Sequence, residues 1–274
     1  ALWRAVITIG PDRFQVDLRD NPAMRDAPYN TSRDGAVISA QMIFKALTDP
    51  SLFANAGSFE ALEVLTQPGT VFHATGTAPH GYYFETRIRL YDMLWQCLAR
   101  AMPERLPAGS FASICGTVIA GKHPDTGRRY TMVEPQMGGW GATADRDGLD
   151  AMYSCSHGET YNCPVEIAEA RYGLEVGQKA LRDDIAGQGL HSGGRGLAVS
   201  YRMRGDALLS AGYSRNRVPV WGLAGGDNGG TNGFAVQRTD GTREERAFAS
   251  GVVLRVGDEI LIHTANGGGW GNSA

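Results

Sequence analysis
The stretch 152–166, MYSCSHGETYNCPVE, brings two thiols, an imidazole and two carboxylates into one short segment. Cys155-x-His157-x5-Cys163 offers zinc two soft ligands and one nitrogen, but a structural zinc site takes four ligands. No second Cys or His pair at ligand spacing lies nearby in sequence. A thiolate nucleophile needs a neighbouring base or cation, and the sequence alone places neither beside Cys155 or Cys163. Burial as small apolar side chains is the better reading of both. The polar residues say more. Glu159, Tyr161, Asn162 and Glu166 lie just before and inside a short helix opened by Pro164, a residue favoured in the first helical turn. Unsatisfied N–H groups and a partial positive charge at that end stabilise a carboxylate or a ligand anion. Two accounts stay open: an N-cap at Asn162 with Glu166 in the first turn, or a polar loop that meets a ligand.

Other motifs are weaker. Gly116–Lys122, GTVIAGK, has the spacing of a phosphate-binding loop, yet His123 stands where Ser or Thr would hold magnesium, and His123-Pro124-Asp125 cannot open the required helix. A strand running into the turn HPDTGRR explains it better. The segments GGDNGGTNG and NGGGWGN lack the strand, G-x-G-x-x-G and helix order of a dinucleotide fingerprint and read as turns.

The elements that position these residues fall into two parts. Runs at Arg4–Ile9 and Phe14–Leu18, joined by Gly10-Pro11-Asp12-Arg13, predict a hairpin. Apolar residues Val37, Ile38, Met42, Ile43, Ala46 and Leu47 predict a helix over 35–47 capped by Asp34 and ended by Asp49-Pro50. A second helix is predicted over 85–102, with Ile88, Tyr91, Leu94, Trp95, Leu98 and Met102 on one face and Pro103 closing it. Beyond residue 105, β-prone runs recur at 111–119, 129–133, 197–201, 207–211, 234–237, 252–256 and 259–263. The 37 glycines, about twice the average share, concentrate after position 187. The pattern predicts an α+β fold, β-rich with Gly-rich loops and two main helices in the N-terminal part. The prolines at 103–107 suggest a boundary between 1–106 and 107–274, or one continuous domain.

With 42% apolar residues in 274, the chain can bury a core without staples. Lys plus Arg number 26 against 29 Asp plus Glu, so nothing marks it for nucleic acid or an anionic membrane. No apolar run approaches a membrane span and no signal peptide is apparent, so the expected location is cytoplasmic. Four cysteines without a C-x-x-C fit a reducing compartment. The opening ALWRAVITIG reads as the middle of a strand, as expected of a cleaved, split or truncated subunit.

Six segments, HPDTGRRY, MGGWGATADRDGLDA, HGETYNCPVEIAEARYG, HSGGRG, RVPVWGLAGG and GDEILIHTANGGGWGN, stand in that order. Together they resemble the C-terminal half of the hydantoinase B family. That family takes in B subunits of ATP-dependent hydantoinases, the matching part of 5-oxoprolinase, and related subunits of acetone and acetophenone carboxylases. The family's N-terminal half, with the His and Asp residues that hold a metal in the carboxylases, has no counterpart in this sequence. Where the family commonly has Asn-Thr-Pro-Val-Glu, this chain has Asn162-Cys163-Pro164-Val165-Glu166, which argues against thiolate chemistry at Cys163.

The resemblance implies a heteromeric, ATP-dependent enzyme that takes a small-molecule substrate. An A-type subunit binds ATP and phosphorylates a substrate carbonyl; the B-type subunit then opens a cyclic amide of the hydantoin, oxoproline or lactam type. The alternatives are an ATP-dependent ketone carboxylase subunit and a non-catalytic scaffold. Expected partners are the A-type subunit and the N-terminal half of the B-type subunit, with any divalent metal on one of them and none on this chain. Glu159, Asn162 and Glu166 are the candidate catalytic residues.

Overall fold
A computed structural model describes residues 2–51, 53–155, 157, 160–184 and 186–273. The chain divides into two compact units, Ala1–Leu106 and Pro107–Ala274. The fold is α+β.

In the first unit, β1 (Val6–Ile9) and β2 (Phe14–Asp17) form the expected antiparallel hairpin, closed by Gly10 N–H donating to the Arg13 carbonyl at 2.8 Å. A third strand, β3 (Leu62–Leu65), pairs parallel with β2. The helices α1 (Arg33–Thr48) and α2 (Tyr83–Ala101) pack on each other. Ser32, not Asp34, caps α1: its Oγ accepts from Gly35 N–H at 3.1 Å, and Asp34 adds negative charge inside the first turn. The buried stripe of α1 runs through Ala36, Ala40, Ile43 and Phe44, leaving Ile38 exposed. Small residues face α2 because the helices approach closely enough for Ser39 Oγ to donate to the Arg87 carbonyl at 3.0 Å. On α2, Ile88, Tyr91, Leu94 and Leu98 are buried as the periodicity predicts. Asp92 is buried as well, paired to Arg89 at 2.7 Å.

The second unit holds two antiparallel sheets. One has the order β10-β9-β12-β7-β6, from Arg243–Arg246, Gly233–Gln237, Glu259–His263, Leu197–Met203 and Leu174–Leu181. The other has the order β11-β8-β4-β5, from Phe248–Leu254, Ala207–Gly212, Gly116–Lys122 and Arg129–Glu134. Both contribute to a single core that includes Ile119, Met132, Leu209, Val199, Phe234 and Ile260. A short helix, α3 (Val165–Arg171), packs against β6. GTVIAGK is thus strand β4, paired antiparallel with β5 across HPDTGRR. The run expected from Phe111 becomes a strand only at Gly116, because Ala112 and Cys115 adopt φ of 43° and 47°, which breaks the extended chain.

The glycine-rich segments are more than turns. Extended stretches near 107–111, 138–142, 187–196, 220–230 and 264–271 lie side by side outside the two sheets, cross-linked by backbone hydrogen bonds. Gly267 N–H donates to the Gly194 carbonyl at 2.8 Å, Gly268 N–H to Gly109 at 3.0 Å, and Gly269 N–H to Asp227 at 3.0 Å. A Cβ on Gly267 would stand 2.0 Å from the Trp140 carbonyl oxygen. Glycine is required there because another backbone occupies the space.

Candidate functional site
The inward period of β5 carries Tyr130, Met132 and then Glu134 toward the core, so a carboxylate ends an otherwise apolar row. Glu134 is 5% exposed. On β6 the register shifts between Val176 and Gln178. That bulge at Gly177 moves the inward face from Leu174 and Val176 to Lys179 and Leu181. Lys179 Nζ thereby reaches Glu134 Oε1 at 3.3 Å. From β7 the inward Tyr201 arrives beside them, its hydroxyl accepting from Gln136 Nε2 at 3.2 Å.

Burial is the main influence on Glu134 and pushes its carboxyl above the ordinary carboxylate range. The Lys179 ammonium and the Cys163 backbone N–H oppose it only in part. The same burial, with the Glu134 charge adding to it, raises the phenols of Tyr201 and Tyr153. Both stay protonated at neutral pH.

Cys163, from the segment before α3, forms one wall of the site. Trp140 Nε1 donates to the Tyr153 carbonyl at 2.9 Å, and the His157 ring stands edge-on to Tyr153 with centroids 5.3 Å apart. Burial lowers the His157 pKa and favours neutral imidazole. Asn162 Nδ2 lies 3.6 Å from Met137 Sδ. Around this wall, Gln136 Oε1, Tyr153 OH, Ser154 Oγ, His157 Nδ1 and Asn162 Oδ1 are buried and have no hydrogen-bond partner among the described residues. Buried polar atoms are normally satisfied, so such a concentration marks a place where water or a ligand completes the bonding. The cavity between Glu134, Lys179, Tyr201 and Cys163 measures about 10 Å³, room for a single water.

Asn162, one of the residues expected from sequence, therefore belongs to this cluster. It is not the cap of α3: Pro164 occupies that position, with no side-chain cap bond. Glu166 is exposed in the first turn of α3. Glu159 lies outside the described residues. Sequence reasoning missed Glu134, Gln136, Lys179 and Tyr201. Continuing the period-two alternation of Arg129–Val133 by one residue would have found Glu134; nothing local announces the bulge that brings in Lys179.

Cys163 is half-buried at the cavity wall. Among the described residues no group of three or more His, Cys, Asp or Glu side chains is arranged to hold a metal. A separate open cleft of about 440 Å³ is lined by Asp147, Asp150, Asp183 and Asp184. Arg195 bonds Asp150 and Arg182 bonds Asp184 there. Among the described residues no helix is long and apolar enough to cross a membrane.

Fold and site together define a β-rich α+β chain whose candidate centre is a buried carboxylate among phenols and amides, with no phosphate-binding loop at its one matching motif. The chain belongs to the hydantoinase B/oxoprolinase family, whose sequence pattern matches residues 3–273. An uncharacterized protein of Methanocaldococcus jannaschii is 30% identical over 267 residues, 97% of this chain and 46% of that protein. Arabidopsis thaliana 5-oxoprolinase 1 is 30% identical over 136 residues, 50% of this chain and 11% of that protein. Among solved structures, the ATP-dependent caprolactamase from Pseudomonas jessenii superposes with a TM-score of 0.80 at 20% identity, covering 98% of this chain and 48% of that one. Nucleotide-free acetone carboxylase gives 0.81 at 18% identity, covering 97% of this chain and 41% of that one. These two show a shared fold. The chain spans about half the length, or less, of the relatives it matches.

Proposed function
We propose that this chain is part of a B-type subunit of a heteromeric ATP-dependent enzyme that opens a cyclic amide after a partner subunit has phosphorylated its carbonyl oxygen. The observation that carries this reading is the family match over residues 3–273, which spans both units. Phosphorylation turns a poor leaving oxygen into a good one. The work left for this subunit is to position water and move a proton, which suits a carboxyl with a raised pKa beside neutral phenols. ATP binds through the A-type partner, and a divalent metal belongs to that partner or to the other half of the B-type chain. In this proposal Asn162, from the segment entering α3, orients the activated substrate or water, Glu159 is a further candidate catalytic residue from the sequence, and Glu166 meets the substrate from the exposed first turn of the helix. A ketone carboxylase is the second reading, favoured by the fold shared with acetone carboxylase.

The test is the assembled complex, assayed for ATP turnover with a hydantoin, a lactam, and an aryl ketone plus bicarbonate. We expect turnover coupled to opening of a cyclic amide; turnover only with ketone and bicarbonate selects carboxylation, and none with any substrate removes both. Glu159→Gln, Asn162→Ala and Glu166→Gln should each lower kcat by about tenfold or more, within the range for loss of a positioned acid–base or polar group. Unchanged rates in all three would point to a scaffold subunit.

A further inference from the structure
The four-stranded sheet of the second unit has an outer face that the core does not use. Alternation sends Ile119, Met132 and Leu209 inward and leaves Val118, Val133 and Leu208 facing out. The pairing aligns the outer residues in rows: Val118 stands opposite Val133, and Leu208 stands between Ala120 and Val253. Val133 is 65% exposed, Phe248 55%, Leu208 49% and Val253 45%. A solvated sheet face normally carries polar side chains; here Ser210 and Thr131 share these rows with exposed Val133, Leu208 and Val253, and that share of exposed aliphatic surface marks a contact face. At its margin an open groove of about 830 Å³ is lined by Lys122, Arg129 and Arg255. Arg255 is paired with Asp206. Lys122 and Arg129 are directly opposite each other across β4 and β5 and have no acidic partner among the described residues. Like charges directly opposite destabilise a strand pair, and the one carboxylate among the described residues of the groove lining, Asp206, is taken by Arg255.

We propose that this face is the docking surface for the complementary half of the family chain, which meets it with an apolar patch and sets carboxylates against Lys122 and Arg129. The inference rests on the partner reading above. Two observations select this occupant. More than half of each of three relatives' chains lies outside the match, so roughly as much protein again must find a surface to cover. The uncompensated cations also call for a partner with acidic side chains at one margin of its apolar surface.

The experiment co-expresses the tagged chain with the complementary half and the ATP-binding partner and measures how much complementary half is retained. Val133→Asp with Leu208→Asp should reduce retention by about tenfold or more, the loss expected when central apolar contacts are replaced by charge. Lys122→Glu with Arg129→Glu should reduce it too and abolish the dependence of retention on salt. Val218→Asp, at a residue 64% exposed elsewhere on the unit, should retain wild-type amounts. All positions are exposed, and circular dichroism of each variant confirms folding. Undiminished retention by both double variants overturns the docking face while leaving the partner reading intact. Failure of the wild-type chain to retain any complementary half overturns both. A wild-type chain that dimerises alone, and becomes monomeric on Val133→Asp with Leu208→Asp, assigns the face to a second copy and overturns the proposal.

Discussion
Glu134 sits 3.3 Å from Lys179, yet burial outweighs the ammonium and leaves the carboxyl harder to ionise than a free glutamate. Below about pH 4.3 the side chain is protonated in both folded and unfolded chains. As pH rises toward the raised folded value, the unfolded chain ionises more readily, so the stability tied to protonated Glu134 is lost. Replacing it by Gln removes that dependence. Denaturant titrations of wild type and Glu134→Gln from pH 4 to pH 8 should show the difference moving in favour of Gln as pH rises; a difference independent of pH would refute the raised value. His157 has the opposite sign. Burial lowers its pKa, so its contribution is complete above about pH 6.5 and is lost as pH falls. Asn162 was legible in sequence because a polar residue before a Pro-started helix stands out. Glu134 was not, because Arg129–Val133 looks complete without it.

At the scale of elements, the stacked glycine-rich segments are held by backbone contact. Gly267→Ala would thrust a methyl against the Trp140 carbonyl and should cost about 2–4 kcal/mol, as for severe overpacking. Gly241 has φ of +89° in an open turn with nothing near a Cβ, so alanine there should cost only about 1 kcal/mol. Denaturant midpoints of the two variants compare the mechanisms directly; equal losses would refute the close-approach argument. Sequence alone predicted turns in these regions, since nothing in NGGGWGN says which backbones will lie beside it. Strand β10, sequence REER, was invisible for a related reason: its charged residues lie at a sheet edge and become a strand by pairing with β9. Strand β6, LEVGQKAL, mixes helix formers with a glycine that proves to be a bulge.

At the scale of the molecule, the second unit has its own core, two sheets and the glycine-rich cross-links, with the candidate site inside it. We propose that it folds on its own. A fragment of residues 107–274 should show a β-type circular dichroism spectrum and one cooperative unfolding transition. A fragment that is unfolded or aggregated would tie its stability to residues 1–106.

By itself the sequence determined the two main helices, the opening hairpin, most strands of the second unit and the family. Those features rest on local periodicity, turn chemistry and the order of short motifs, all written along one stretch of chain. Only the tertiary structure decided that Glu134 meets Lys179, that Asn162 turns toward Met137 instead of capping α3, and that the glycines serve as contact points between distant backbones. The physical reason is that burial and close approach are relations between segments. A carboxylate acquires a raised pKa only when another sheet covers it, and a glycine becomes indispensable only when another backbone arrives within about 2 Å of where a Cβ would be.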